Sequence, residues 1–313
     1  MSDGQHTAGG LRLRGLGLLL IAIALWGMGP LFVKHFSVYY NPWTQNAFRY
    51  SCAAVVLLAL GVFQGRLRYR LTRGQWGKLV LVAGANFLMQ TNFVLVYYFL
   101  YPSVASLVSR LNIVFVIVLS FILFQDERAV IRSPRFLIGS TLALLGVIFV
   151  IVGQDPAVLE RLAVSNRDFW TGVAIAIGHA FFLSVYYMTI KHAVRDIPAL
   201  ISFTHVAWMT ALGLWVPLLI AGGVKDLWRG PAMPLALMIL SALLSIVIAH
   251  TCYYAALRSV KTVVSVSILQ LSPVVVCTLS ALVYGDTLSP IQILGGAVVI
   301  SGAWLAALSQ RAQ

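Results

Sequence analysis

Acidic side chains are the scarcest resource in this 313-residue chain: nine Asp and Glu stand against 22 Lys and Arg, and only 10% of residues are charged. A soluble domain is about a quarter charged, so a soluble globular protein is excluded. The net charge of +13 does not point to nucleic acid. Its basic residues fall in short loops between apolar runs and not on one face of a soluble module. Cysteine is almost absent. Cys52, Cys252 and Cys277 all lie inside apolar runs, with neither metal-ligand spacing nor a disulfide framework, and read as small core residues. No cofactor is called for. HExxH, GxSxG and paired intramembrane aspartates are also missing, which argues against a membrane enzyme.

What is present is hydrophobicity, 60% of the chain. It comes in stretches of about twenty residues, the length that crosses a ~30 Å hydrocarbon layer as a helix. Ten spans are predicted, over about 15–36, 43–63, 76–100, 102–124, 135–152, 168–190, 198–220, 233–256, 261–284 and 290–308. Pro42, Pro102, Pro134, Pro198, Pro234 and Pro290 fall at or near the starts, where a missing amide hydrogen costs little. The first run is too long for a signal-peptide core and has no small-residue cleavage site, so it is expected to remain as a span.

Basic residues set the expected direction. With the N-terminus inside, fifteen Lys and Arg fall in cytoplasmic segments, among them Arg66, Arg68, Arg70, Arg128, Arg132, Lys191, Arg195, Arg258, Lys261 and Arg311. Five fall outside: Lys34, Arg161, Arg167, Lys225 and Arg229. Both termini are therefore expected in the cytoplasm.

The two halves repeat at an offset of 156 residues. Pro42 matches Pro198, Tyr97-Tyr98 matches Tyr253-Tyr254, Ser133-Pro134 matches Ser289-Pro290, and Gly139 and Gly146 match Gly295 and Gly302. "LSFILFQD" (119–126) and "LSALVYGD" (279–286) align after a slip of four. Five spans per half is odd, so the copies face opposite ways. The fold expected is an all-α integral membrane protein of ten transmembrane helices in two inverted five-helix repeats, 15–152 and 168–308. Inverted repeats are a transporter design with a central site reached alternately from each side.

Few residues can carry recognition. All nine acids lie in loops or at span ends, which argues against proton–cation antiport through a membrane carboxylate and against a strongly cationic substrate. Of the histidines, His179, His205 and His250 lie in spans, where hydrogen-bonded packing suits them better than titration. Arg110 stands mid-span without an acid and must face protein or a wet cavity. A substrate carboxylate and structural bonding are both open to it. Arg49, the repeat partner of His205, reads as structural.

The stretch "NFLMQTNFVLVYYFLY" (86–101) places Asn86, Gln90, Phe93, Tyr97 and Tyr101 in one stripe of the third span. His179, Phe182, Tyr186 and Tyr187 make a similar face on the sixth, and His250, Tyr253 and Tyr254 on the eighth. Trp26 is the repeat partner of Phe182. A polar cavity explains amides and rings together; interhelix bonding and interfacial aromatic belts are the competing explanations. Trp43, Trp76, Trp170 and Trp228 read as belt residues. A zwitterion would suit such a cavity, with its carboxylate at Arg110 and its ammonium at Gln90, Asn86 or a ring face.

"LWGMGPLFVKH" (25–35) with "NPWTQNAFRY" (41–50), and "YYAALRSVKTVVSVSILQLSPVVVCTLSALVYGD" (253–286) with "LGGAVVISGAWL" (294–305), resemble the drug/metabolite transporter superfamily in its ten-span form with two EamA-type repeats. The resemblance spans residues 15–308 and is nearest to bacterial exporters of aromatic amino acids. It implies export of aromatic and other neutral amino acids across the bacterial inner membrane through a cavity among spans 1–4 and 6–9. No protein partner is implied. Two departures stand out: Asn112-Ile113 replaces the second copy's Ser272-Pro273, and Asp286-Thr287 replaces the Asp126-Glu127 of the first. A nucleotide-sugar exchanger is the alternative, although it would need more cavity cations than Arg110 with Arg49 or Lys34.

Overall fold

The computed structural model describes residues 2–123, 133–153, 157, 160, 164–193, 197–221, 223–256, 269 and 271–308. Asp126, Glu127, Arg128, Arg132, Arg161, Arg195, Arg258, Lys261 and Arg311 lie outside them, as do the start of the ninth expected span and the end of the fourth. Among the described residues the chain is helical, with no strand. The main helices are α1 (Ser2–Phe36), α2 (Pro42–Phe63), α3 (Arg73–Phe99), α4 (Pro102–Val108), α5 (Asn112–Leu123), α6 (Pro134–Val152) and α7 (Asn166–Ala193). They continue as α8 (Ala199–Ala221), α9 (Ala232–Ser241), α10 (Ala249–Ala256), α11 (Ser272–Tyr284) and α12 (Pro290–Leu308), with a π-helical stretch Ala242–Ile248 joining α9 to α10. Seven stretches are long and apolar enough to cross a membrane, and three shorter apolar helices accompany them, over Pro102–Val116, Ser272–Tyr284 and Pro290–Ala306.

Local chemistry explains the boundaries. The Asn41 side chain accepts the Thr44 amide at 2.8 Å, with Pro42 opening α2. Thr72 and Gln75 form a reciprocal capping box on α3. Ser133 caps α6 through the Phe136 amide, with Pro134 next. Pro102 and Pro290 likewise begin their helices, Pro198 immediately precedes α8, and Pro234 lies in the first turn of α9.

The packing repeats with the sequence. α2 lies against α8, and α6 against α12. α3 packs on α7, and the counterpart pairing one half-chain on is α10 on α1. The closest seam is α6–α12. A Cβ at Gly139 would stand 2.6 Å from the Gly302 carbonyl, and one at Gly146 would stand 2.7 Å from that of Gly295. Gly139 and Gly146 are the repeat partners of Gly295 and Gly302, so each glycine meets the partner of the other one. A two-fold relation between the halves requires that crossed pattern. Glycine is needed here because two backbones touch.

The fourth helix of the first half is interrupted although it has no proline at the interruption. A 3₁₀ turn over Ser109–Leu111 separates α4 from α5, and in the second half Pro273 lies at the first turn of α11. Both breaks lie beside the same cavity.

Candidate functional site

A central cavity of about 120 Å³ opens among α1, α2, α3, the α4–α5 break, α7, the π-helical stretch, α10 and α11. Of the expected residues, Trp26, Gln90, Phe93, Tyr97, Arg110, His179, Tyr186 and His250 line it. Arg49, Tyr187, Ser106, Ser109, Ser245, Leu269 and Ser272 join them.

Five residues of the expected set do not reach its wall. Asn86 is fully buried, and its Nδ2 donates to the Tyr50 hydroxyl at 3.2 Å and to Thr210 Oγ1 at 3.0 Å. It therefore ties α3 to α2 and α8, the interhelix role that competed with the cavity one. Tyr101 stands beyond the end of α3, where Lys34 Nζ lies 4.3 Å over its ring and Tyr284 packs at 5.9 Å. Partial burial, and then the Asp286 carboxylate, push its phenol above the ordinary tyrosine value. Phe182 turns into the core beside Phe181. Tyr253 stands behind Trp26 at 4.9 Å, and Tyr254 gives its hydroxyl to the Tyr186 hydroxyl, or accepts from it, at 3.0 Å. Those two tyrosines brace cavity rings without touching the space.

Arg110 is the central polar group. Its Nη1 donates to the Leu269 carbonyl at 3.2 Å, and its Nε is buried without a partner. The Leu269 carbonyl is free for a specific reason. In a continuous helix it would take the amide hydrogen of the residue four further on, which is Pro273 and has none. The proline break of one half thus supplies the acceptor that orients the guanidinium carried by the break of the other. Arg49 is buried as well, its Nε donating to Ser241 Oγ at 2.9 Å.

On the opposite wall Trp26 meets His250 edge-on at 5.0 Å. His250 Nδ1 is 3.3 Å from Trp26 Nε1 and 3.1 Å from the Ser245 carbonyl. An indole N–H only donates and a carbonyl only accepts, so Nδ1 serves one of them at a time. His179 Nδ1 lies 3.2 Å from the Met89 carbonyl, under the Phe93 ring. His205 bonds within its own helix to Ile201 and takes no part in the cavity. The cavity is therefore walled by rings, carries two guanidiniums, and has no carboxylate among its described residues. Such a space can hold a small carboxylate and stack an apolar or aromatic side chain.

Asp286 refines the sequence reading. It ends its span as expected, yet it is buried, and its Oδ2 accepts from the Ser103 amide at 3.0 Å and from Ser280 Oγ at 2.7 Å. It caps α4 from the other half and leaves the cavity without an acid among the described residues. Tyr187 belongs to the face expected on the sixth span, whereas the wall serines carry no signal of their own, because small hydroxyls are common in membrane helices.

A model of the EamA-like transporter family matches the chain twice, over residues 13–152 and 170–308. The threonine/homoserine exporter RhtA of Escherichia coli strain K12 is 26% identical over 182 residues, 58% of this chain and 57% of that protein. Its counterpart in Escherichia coli O157:H7 matches equally. The chain thus spans little more than half the length of these curated relatives. A solved crystal structure shares the fold with a TM-score of 0.64 at 18% identity, over 97% of this chain and 99% of that one.

Proposed function

The chain belongs to the EamA-like transporter family, with two EamA repeats, and from that premise we propose that it exports aromatic and other neutral amino acids by alternating access at the central cavity. It is a transporter and not an enzyme. The observation that carries the proposal is Arg110, a half-buried arginine with one buried, unpartnered nitrogen, which lines a ring-walled space that has no acid among its described residues. A carboxylate common to all amino acids would meet its guanidinium in a charge-assisted bond. The ammonium would lie at the Gln90 carbonyl oxygen and over a ring, and the side chain among Trp26, Phe93 and Tyr186. The amino-acid exporter among the relatives supports the substrate class. The aromatic preference rests on the walls alone.

The architecture we propose around that site is ten spans in two inverted units, 15–152 and 168–308, with both termini in the cytoplasm of a bacterial inner membrane. The crossed glycine seam and the repeated helix pairings support the inversion. The excess of basic residues in alternate loops supports the direction. Single cysteines at Arg70 and Lys191 should be protected from an impermeant thiol reagent in whole cells, and one at Lys225 should react. The reverse pattern would overturn the orientation.

Counter-flow in proteoliposomes tests the substrate class. Labelled phenylalanine should exchange with unlabelled Phe, Tyr, Trp and medium-sized neutral amino acids, whereas nucleotide-sugars and quaternary cations should compete poorly. Exchange of a nucleotide-sugar in preference to amino acids would sink the proposal in favour of the family's other metabolite chemistry.

A further inference from the structure

The charge balance of the cavity leads one step further, resting on the reading that this cavity is the substrate path. Two guanidiniums, Arg49 and Arg110, reach the wall, and no Asp or Glu does so among the described residues. Asp286 is occupied elsewhere, by the Ser103 amide and the Ser280 hydroxyl. A zwitterion is neutral and leaves the net charge of this space unchanged, and what its carboxylate gains from the arginines its ammonium partly loses to them. A monoanion lowers it by one.

The acceptors tell the same story. An ammonium offers three donors, and each needs an oxygen or a ring face once water is gone. The Leu269 carbonyl already takes Arg110, and the Met89 and Ser245 carbonyls lie within reach of histidine nitrogens. Donors are in surplus, as the unpartnered Arg110 Nε shows. The space thus offers a carboxylate two guanidiniums, and an ammonium no countercharge among the described residues, only neutral oxygens such as that of Gln90 and ring faces.

We infer that the cavity also takes aromatic monocarboxylates that lack an ammonium, the 2-hydroxy or 2-oxo counterparts of aromatic amino acids, and prefers them to the zwitterions. A 2-hydroxyl can donate to Gln90 or accept from a wall serine, so it needs one acceptor where the ammonium needs three. The ring keeps its place among Trp26, Phe93 and Tyr186.

The test uses the full-length protein in proteoliposomes, with the flux into protein-free vesicles subtracted. Labelled L-phenylalanine uptake is competed with L-phenyllactate, L-phenylalanine and L-phenylalaninamide, and labelled phenyllactate uptake is measured directly. Phenyllactate should half-inhibit at a concentration about fivefold or more below phenylalanine, and the cationic amide should be weakest. Arg110→Gln should shrink the gap between phenyllactate and phenylalanine to within about twofold, while Arg110→Lys keeps the order. Phenyllactate competing no better than phenylalanine would overturn the inference and leave amino-acid export standing. Uptake of phenyllactate with none of any amino acid would do the opposite, upholding the inference and sinking amino-acid export. No uptake of either would overturn both.

Discussion

The α6–α12 seam and the central cavity are both places where the two halves of the chain meet, and they are built on opposite terms. At the seam four glycines bring backbones into contact, leaving no room for even a methyl group. At the cavity one helix is interrupted and another begins at a proline, the wall mixes rings with polar side chains, and a buried Arg110 nitrogen goes without a partner. Lipid supplies no hydrophobic force between helices, so close packing must hold the seam. The cavity instead holds back part of its bonding capacity, as a site that must bind and release requires. Stability should respond to the first region and transport to the second.

The largest effect is expected from Gly146→Leu. A side chain there meets the Val299 amide nitrogen and the Gly295 carbonyl, neither of which can move without shifting α12. Overpacking of this kind costs about 1–3 kcal/mol where side chains can yield, and backbone yields less. The variant should lose most of its folded yield, read by size-exclusion profile and melting temperature in detergent. A wild-type melting temperature would break the contrast between the regions.

Arg110→Gln comes next, with the opposite signature. Hydrogen bonds to charged groups contribute about 1.5–3 kcal/mol, so KM for every amino acid should rise roughly tenfold to a hundredfold together, with the melting temperature nearly unchanged. Transport of amino-acid amides as fast as the amino acids themselves, and equally in wild type and variant, would remove Arg110 from the site. Trp26→Ala should act selectively, weakening Phe, Tyr and Trp by about twofold to tenfold and threonine less, as the loss of a stacking partner worth about 0.5–1.5 kcal/mol implies. A uniform loss would mean that Trp26 braces His250 and does not select.

The two amides of α3 sharpen the comparison within a single helix. Asn86→Ala removes two buried hydrogen bonds, to Tyr50 and to Thr210, at a cost of about 1–3 kcal/mol of stability, while transport per folded molecule is kept. Gln90→Ala should do the reverse, because water can replace a cavity-lining amide. The smallest effect belongs to Pro273→Ala, which offers the Leu269 carbonyl a backbone amide and so competes with Arg110 for it. KM should rise about twofold to threefold with kcat unchanged, and combining it with Arg110→Gln should add nothing further.

Much of the molecule could be read from the chain before folding. Apolar length and proline positions located the helices, because lipid tolerates no unpaired backbone. Arg110 had to point inward, because a lone charge in hydrocarbon costs about 2.5–3.5 kcal/mol or more, and the structure places it on the cavity. The constant offset showed two repeats, and Gly139, Gly146, Gly295 and Gly302 carried the seam without revealing it. What the chain could not show was how far along each stripe the cavity extends. A helical stripe defines a face, but which neighbour covers each height of that face depends on where helices cross. Asn86, Gln90 and Tyr101 share one stripe, yet one end meets α2 and α8, the middle meets open space, and the other end lies under Lys34. Nor does any periodicity announce the π-helical stretch Ala242–Ile248, which carries the wall residues Ser245 and Ile246 and leads into the helix of His250. An amino-acid sequence states which groups cannot face lipid; only the crossing of helices from the two halves decides which of those groups share a space.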